Sequence, residues 1–199
     1  MSTRNADIHR KTGETDVRVS VGLDGTGVSE IDTGIGFFDH MLTLFASHGL
    51  FDLTVKCDGD IEVDGHHSVE DIGIAMGQAF CAAFGEKRGI TRYGSFYLPM
   101  DETLVLAALD ISGRPFLVYD PGDTPMTPMI GVYDTELTEE FLRAFAFHAG
   151  LTLHVKILYG RNSHHKVEAV FKAVAHALRI AAEKDARLGD MIPSTKGVL

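Results

Sequence analysis

The segment Gly65-His66-His67-Ser68-Val69-Glu70 returns 98 residues later (66 to 164) as Ser163-His164-His165-Lys166-Val167-Glu168. A chain that repeats itself at so long a spacing must fold as two copies of one unit. The likeness extends past the motif. Each copy runs on into an apolar helical pattern, from Ile72 through Phe80 in one and from Val170 through Leu178 in the other. Upstream, His40 to Val55 aligns without a gap with Glu140 to Val155, pairing His48 with His148, Leu53 with Leu153 and Val55 with Val155. Each half therefore carries the order helix, strand, helix.

Periodicity fills in the rest. Val17, Val19, Val21 and Leu23 alternate with polar residues, a strand entering a hairpin turn at Asp24-Gly25. A helix is predicted over 36–48, a strand over 51–57, a short strand or connection over 61–64, and a long helix over 66–84. The second half offers strands near 94–98, 104–110 and 115–119, then a loop punctuated by Pro121, Pro125 and Pro128. A helix beginning about Thr138, a strand over 151–159 and a helix over 164–182 complete it. The start, 1–12, is polar and is assigned no element. The fold class is α+β, with two tandem pseudo-symmetric halves, and no polar linker divides them, so a shared sheet interface is expected. Half-domains over 1–91 and 92–184, packed as one globular unit, leave a tail over 185–199 whose end, Met191 to Leu199, is a candidate binding segment.

Composition narrows the function. With 28 acidic and 18 basic residues the formal charge is −10, which disfavours a general nucleic-acid-binding role. No apolar run approaches the roughly 18 residues of a membrane span, and no signal core precedes the first half. The two cysteines, Cys57 and Cys81, lack CxxC spacing, which fits a reducing, cytoplasmic setting.

Paired histidines followed by glutamate, present twice, point to metal. On a helix Glu70 lies on the side of either His66 or His67, whereas the two adjacent imidazoles diverge by about 100°. They serve two different ions, or one ion and its surroundings. Symmetry adds His40 and Glu140, each at the same place in the helix preceding its motif. The full set is His40, His66, His67, Glu70, Glu140, His164, His165 and Glu168. Divided between two ions, it suits octahedral Mn²⁺, Fe²⁺ or Co²⁺ with room for substrate, and its lack of cysteine argues against a structural zinc knot. His48 and His148 sit at helix ends, either near the last carbonyls or in contact with substrate. Arg92, Arg114, Lys172 and Lys196 lie in short motifs, and an arginine beside glycine or proline can meet a phosphate with its guanidinium fork.

The strings Thr-Gly-Ile-Gly-Phe-Phe-Asp-His-Met-Leu, Gly-His-His-Ser-Val-Glu-Asp, Met-Asp-Glu-Thr-Leu, Asp-Ile-Ser-Gly-Arg-Pro, Asn-Ser-His-His-Lys-Val-Glu-Ala-Val-Phe-Lys and Pro-Ser-Thr-Lys-Gly together resemble the imidazoleglycerol-phosphate dehydratase family over nearly the whole chain. The resemblance implies dehydration of imidazole glycerol phosphate to imidazole acetol phosphate in histidine biosynthesis, by a monofunctional enzyme with two manganese ions per active site. It implies a ribosomal protein S5 domain 2-like fold, each half a mixed four-stranded sheet backed by helices. It also implies a large homo-oligomer of about 24 subunits with active sites between them. His40, His66, His67, Glu70, His164, His165 and Glu168 match the family's metal ligands. The chain departs at Glu140, where many relatives have histidine. Arg92, Arg114, Lys172, Ser194 and Lys196 match its phosphate-binding positions. Glu14, a plain surface residue by its own context, matches an acid that contacts substrate and moves a proton.

The expected chemistry removes a proton from a carbon beside the imidazole ring. Ring nitrogens on metal would open the way to imidazolate and a diazafulvene-like intermediate, with Glu14 and either Glu70 or Glu168 as acid and base. Two rival readings use the same ligands: a dimetal hydrolase, which needs no anion clamp, and a non-catalytic protein stapled into assemblies by metal.

Overall fold

The computed structural model describes residues 4–199. Strict alternation turns Val17, Val19 and Val21 to the buried face of one strand and Val105, Ala107 and Leu109 to that of another. Around each such strand a sheet is built. The first half contains β1 (Asn5–Lys11), β2 (Thr15–Gly22), β3 (Ser29–Asp32), α1 (Gly36–Gly49), β4 (Asp52–Gly59) and α2 (His66–Phe84). The second contains β5 (Tyr93–Met100), β6 (Thr103–Asp110), β7 (Phe116–Asp120), a small β8 (Met129–Ile130) and β9 (Tyr133–Asp134) pair, α3 (Leu137–Ala149), β10 (Thr152–Tyr159) and α4 (Ser163–Ala182).

The sheets run β1-β2-β4-β3 and β5-β6-β10-β7, the same order in each half. Both are mixed, with one parallel pair each, β3 on β4 and β7 on β10. This is the duplicated fold the repeat calls for. Two details differ from the sequence-based expectation. β1, in the polar start, is an edge strand whose only apolar residues turned toward the core are Ala6 and Ile8. β2 does not form a hairpin through Asp24-Gly25 with the next strand, because β4 lies between β2 and β3. Of the two alternatives for 61–64, the structure takes the connection, a turn.

The halves meet through helices, not through a shared sheet. α1 and α2 cover the first sheet, α3 and α4 the second, and α2 packs on α3 while α1 packs on α4. The inner apolar face of each sheet is covered by its own helices, so the helices' outer apolar surfaces are what brings the halves together. The seam is aromatic: Phe45 meets Phe80 and Phe145 edge-on, and Phe38 meets Phe141 and Phe171. Gly73 and Gly77 let α2 approach α3 closely. A Cβ on Gly77 would stand 2.7 Å from the Phe145 carbonyl oxygen, and one on Gly73 2.8 Å from the Ala144 Cβ.

All four helices begin at one end of the molecule. Gly65, just before α2, lies against Ile35 and Leu137 at the starts of α1 and α3, and the Phe37 ring of α1 meets the His164 ring of α4 at 5.1 Å. Among the described residues no helix is long and apolar enough to cross a membrane.

Far from those helix starts, His48 of α1 and His176 of α4 meet at 3.3 Å, and Phe96 stacks on His176 at 4.2 Å. Burial, with Arg179 nearby, pushes His176 down to about 4. Burial, with Lys172 nearby, also lowers His48. Unfolding returns both rings to their ordinary value of about 6.5. Between about 6.5 and 4 the unfolded chain therefore binds protons that the folded chain does not, and stability falls as pH falls through that window. Thermal unfolding midpoints measured across the window should drop, and His176→Gln should make the drop shallower. An unchanged pH dependence in that variant would remove His176 as a cause.

Candidate metal centre and anion cluster

Three candidate ligands from the two halves converge at the helix-start end. The ligand atoms of His40, His164 and Glu168 all lie within 4.8 Å of one another, and among the described residues this is the one such group of three or more. The Asn162 side chain caps α4, accepting the N–H groups of His164 at 2.9 Å and His165 at 3.4 Å, so the two histidines begin a rigid helix. One turn on, buried Glu168 faces His164 Nε2 at 3.1 Å and His40 Nε2 at 3.6 Å. Burial alone would raise the Glu168 carboxyl. The Lys172 ammonium bonded to it, with His164 and His40, holds it below the ordinary carboxylate value. A nitrogen and carboxylate set of this kind, with no sulfur, fits a divalent ion such as Mn²⁺.

The first-half motif is arranged differently. His66 begins α2 with its N–H on Asp64 at 2.8 Å. His67 Nδ1 is 3.0 Å from Asp60, and that hydrogen bond raises the pKa of His67. Glu70 is exposed. Glu140, the counterpart of His40, is held by Arg143 through both carboxylate oxygens at 2.7 and 2.8 Å, so the structure does not bring it into a group with His66 and Glu70. On α4, His165 Nδ1 donates to Glu102 at 2.8 Å, which raises His165 and drives Glu102 well below the carboxylate range. Asp60 and Glu102 escaped the sequence reading. Both are acids at loop positions, where motif spacing carries no signal. Glu14 is exposed at the tip between β1 and β2, and its carbonyl accepts the Asp60 N–H at 3.2 Å.

The cationic residues split in two. Arg92, at φ 73°, grips Asp110 at 2.7 and 3.0 Å and donates to the Pro193 carbonyl at 2.8 Å, which fastens the tail beside it. The hydrogen bond to Asp110 raises Arg92 further, so it stays charged. Arg114 is 3.6 Å from the same Asp110 and otherwise exposed. Next to Pro193, the Ser194 hydroxyl accepts the Lys196 N–H at 3.2 Å. The end of the tail reaches Gly113, since a Cβ there would lie 2.9 Å from Leu199. Arg92, Arg114, Ser194 and Lys196 thus share one neighbourhood, whereas Lys172 stands at the histidine cluster.

That neighbourhood is at the far end of α4. The Arg92 N–H bonds the Ala181 carbonyl at 2.8 Å, near the helix C-terminus. From Glu168 to Ala181 the helix rises about 20 Å. A ring joined to a phosphate through three carbons spans at most about 9 Å, at about 1.5 Å per bond. The two groups are thus set apart along the helix by more than such a molecule's own length.

Comparison with known proteins gives the architecture its class, a carbon–oxygen lyase that removes water from its substrate. A family model described as imidazoleglycerol-phosphate dehydratase matches residues 33–178. Relatives of that name include one from Cereibacter sphaeroides, 59% identical over 197 residues and covering 98% of this chain and 100% of its own. One from Dinoroseobacter shibae is 61% identical over 196 residues, with coverage of 98% and 100%. The crystal structure of the Staphylococcus aureus dehydratase superposes with a TM-score of 0.82 at 40% identity, covering 91% of this chain and 99% of that one. The Pyrococcus furiosus structure gives 0.81 at 36%, covering 96% and 100%. The chain belongs to the imidazoleglycerol-phosphate dehydratase family.

Proposed function

We propose that this chain dehydrates imidazole glycerol phosphate to imidazole acetol phosphate, with two manganese ions per active site, in a homo-oligomer of about 24 subunits whose sites lie between copies. The observation that carries the reading is the convergence of His40, His164 and Glu168 from two halves onto one point. His66, His67, Glu70 and His165 supply the remaining donors, and Glu140 joins them on releasing Arg143. The separation of the two ends of α4 supports sites shared between copies, one presenting the histidine cluster with Lys172 and the other presenting Arg92, Arg114, Ser194 and Lys196.

The metal ions, when bound, supply positive charge that lets the substrate's ring accept electrons. The chain's own residues do the rest. Arg114, Lys196 and Lys172 bring cationic donors to the phosphate, the Ser194 hydroxyl adds a neutral one, and Arg92, braced by Asp110, presents its remaining face. Holding the phosphate fixes the reacting carbons against the histidine cluster and removes the entropy of finding that pose. Glu14, with its carboxylate free at a hairpin tip, moves the proton at the carbon beside the ring. Glu70 or Glu168 handles the second proton as hydroxide leaves. Two free cysteines and the absence of a membrane-spanning helix among the described residues fit a cytoplasmic enzyme.

The deciding experiment strips the protein of metal and measures turnover of imidazole glycerol phosphate before and after adding Mn²⁺, counting bound metal in the same sample. Manganese-restored formation of imidazole acetol phosphate is expected. Metal uptake without product would favour the hydrolase or structural alternatives and sink this reading.

A further inference from the structure

The two hairpins that open the halves correspond in register. Buried Thr15 starts β2 and buried Thr103 starts β6, each followed two residues later by a fully buried valine, Val17 and Val105. The residue before each threonine is a glutamate, Glu14 in one half and Glu102 in the other. Their surroundings have diverged. Glu102 is tied down: one oxygen accepts the backbone N–H groups of Arg161 at 3.0 Å and Asn162 at 2.7 Å, and the other accepts His165 Nδ1–H at 2.8 Å. In the first half the same task falls to Asp60, on the loop leaving β4. Its oxygens lie 3.0 and 3.2 Å from His67 Nδ1, and its N–H donates to the Glu14 carbonyl.

We propose that Asp60 and Glu102 are the positioning residues of the two metal centres, and that Asp60, by taking this task in the first half, leaves the equivalent hairpin acid, Glu14, to work on substrate. A neutral imidazole carries one N–H. Pinning it at Nδ1 leaves the Nε2 lone pair as the only ring atom able to bind metal, and it fixes the plane of the ring. A carboxylate partner also makes the ring a better donor, and losing such a partner typically weakens metal binding 10- to 100-fold. The arrangement explains why a duplicated scaffold leaves one hairpin acid exposed to substrate rather than two. Glu102 cannot move a proton for substrate while it holds both the His165 ring and the start of α4.

This inference rests on the metalloenzyme reading, so its test is done without substrate. Metal-stripped wild type, Glu102→Ala, Glu102→Gln, Asp60→Ala, Asp60→Asn and Glu14→Gln are titrated with Mn²⁺, with free ion followed by electron paramagnetic resonance. The visible spectrum of each Co²⁺-loaded form and the unfolding midpoint of each metal-free form are recorded alongside. The alanine variants should bind one ion 10- to 100-fold more weakly and shift the Co²⁺ bands. Gln and Asn, which keep an oxygen to accept Nδ1–H, should recover part of the loss, and they decide the matter if the alanine forms do not fold. Glu14→Gln should bind both ions as wild type does. Wild-type affinity and spectra in the Glu102 and Asp60 variants would overturn the proposal and leave the metalloenzyme reading standing, as would weakened binding in Glu14→Gln. A wild-type protein that takes up no Mn²⁺ would overturn both.

Discussion

Glu14→Gln is expected to lower turnover about 10²- to 10⁴-fold, the usual worth of a positioned acid or base, while leaving bound metal, assembly and unfolding temperature unchanged. The structural grounds are direct. The side chain is exposed, and the fold uses only the Glu14 main chain, whose N–H meets Thr12 and whose carbonyl meets Asp60. Glutamine keeps the size and reach but is neutral and cannot exchange a proton near neutral pH. Steady-state kinetics should therefore show the loss in kcat with little change in KM. Retained kcat would remove Glu14 from proton transfer and move the search to Glu70 and Glu168.

The second large effect should appear at Arg114. Its guanidinium is mostly exposed and makes one loose contact, 3.6 Å from Asp110, so the folded chain needs it little. A charge-assisted contact to phosphate is worth about 1.5–3 kcal/mol, and 1.4 kcal/mol is a factor of ten. Arg114→Ala should thus lower kcat/KM about 10- to 100-fold, mainly through KM, and weaken competitive inhibition by inorganic phosphate in parallel. Its unfolding midpoint should match wild type. If phosphate inhibits the variant as strongly as the parent, Arg114 does not belong to the anion cluster. Arg92 would be a poorer choice for the same test, because Asp110 and Pro193 also depend on it.

Much of this was legible in the chain because it is local. The HHxVE copies, the helices behind them and strands such as β2 and β6 declare themselves through spacing and alternation, which depend only on neighbours a few residues away. What stayed hidden depends on distant partners. β1 has only Ala6 and Ile8 as its inward signal, and β3 has four residues with Ile31 alone, so both take their conformation from pairing with β2 and β4. Asp60 sits in a run of acids, where composition cannot single it out. Glu102 lies in a recognisable string, yet its bond to His165 spans 63 residues. Aligning the two hairpins, rather than only the two histidine motifs, would have set Glu102 beside Glu14. The split of the cations also needed the fold, since nothing in the sequence says that Lys172 bonds Glu168 at the histidine cluster while Arg92 stands beside the C-terminus of the same helix.

The length of α4 has a consequence for dosage. Under the proposed sharing of sites, each copy would give its histidine end to one site and its arginine end to another, so that a site would count two chains. In an assembly where only a fraction f of the chains is intact and the rest are damaged at both ends, about f² of the sites survive. Chains damaged at opposite ends obey the same rule: co-assembled in equal amounts, two forms that are inactive alone would rebuild about a quarter of the sites. Under random co-assembly the surviving fraction therefore depends only on how many histidine ends and how many arginine ends are intact, and not on whether the lesions fall in the same chains.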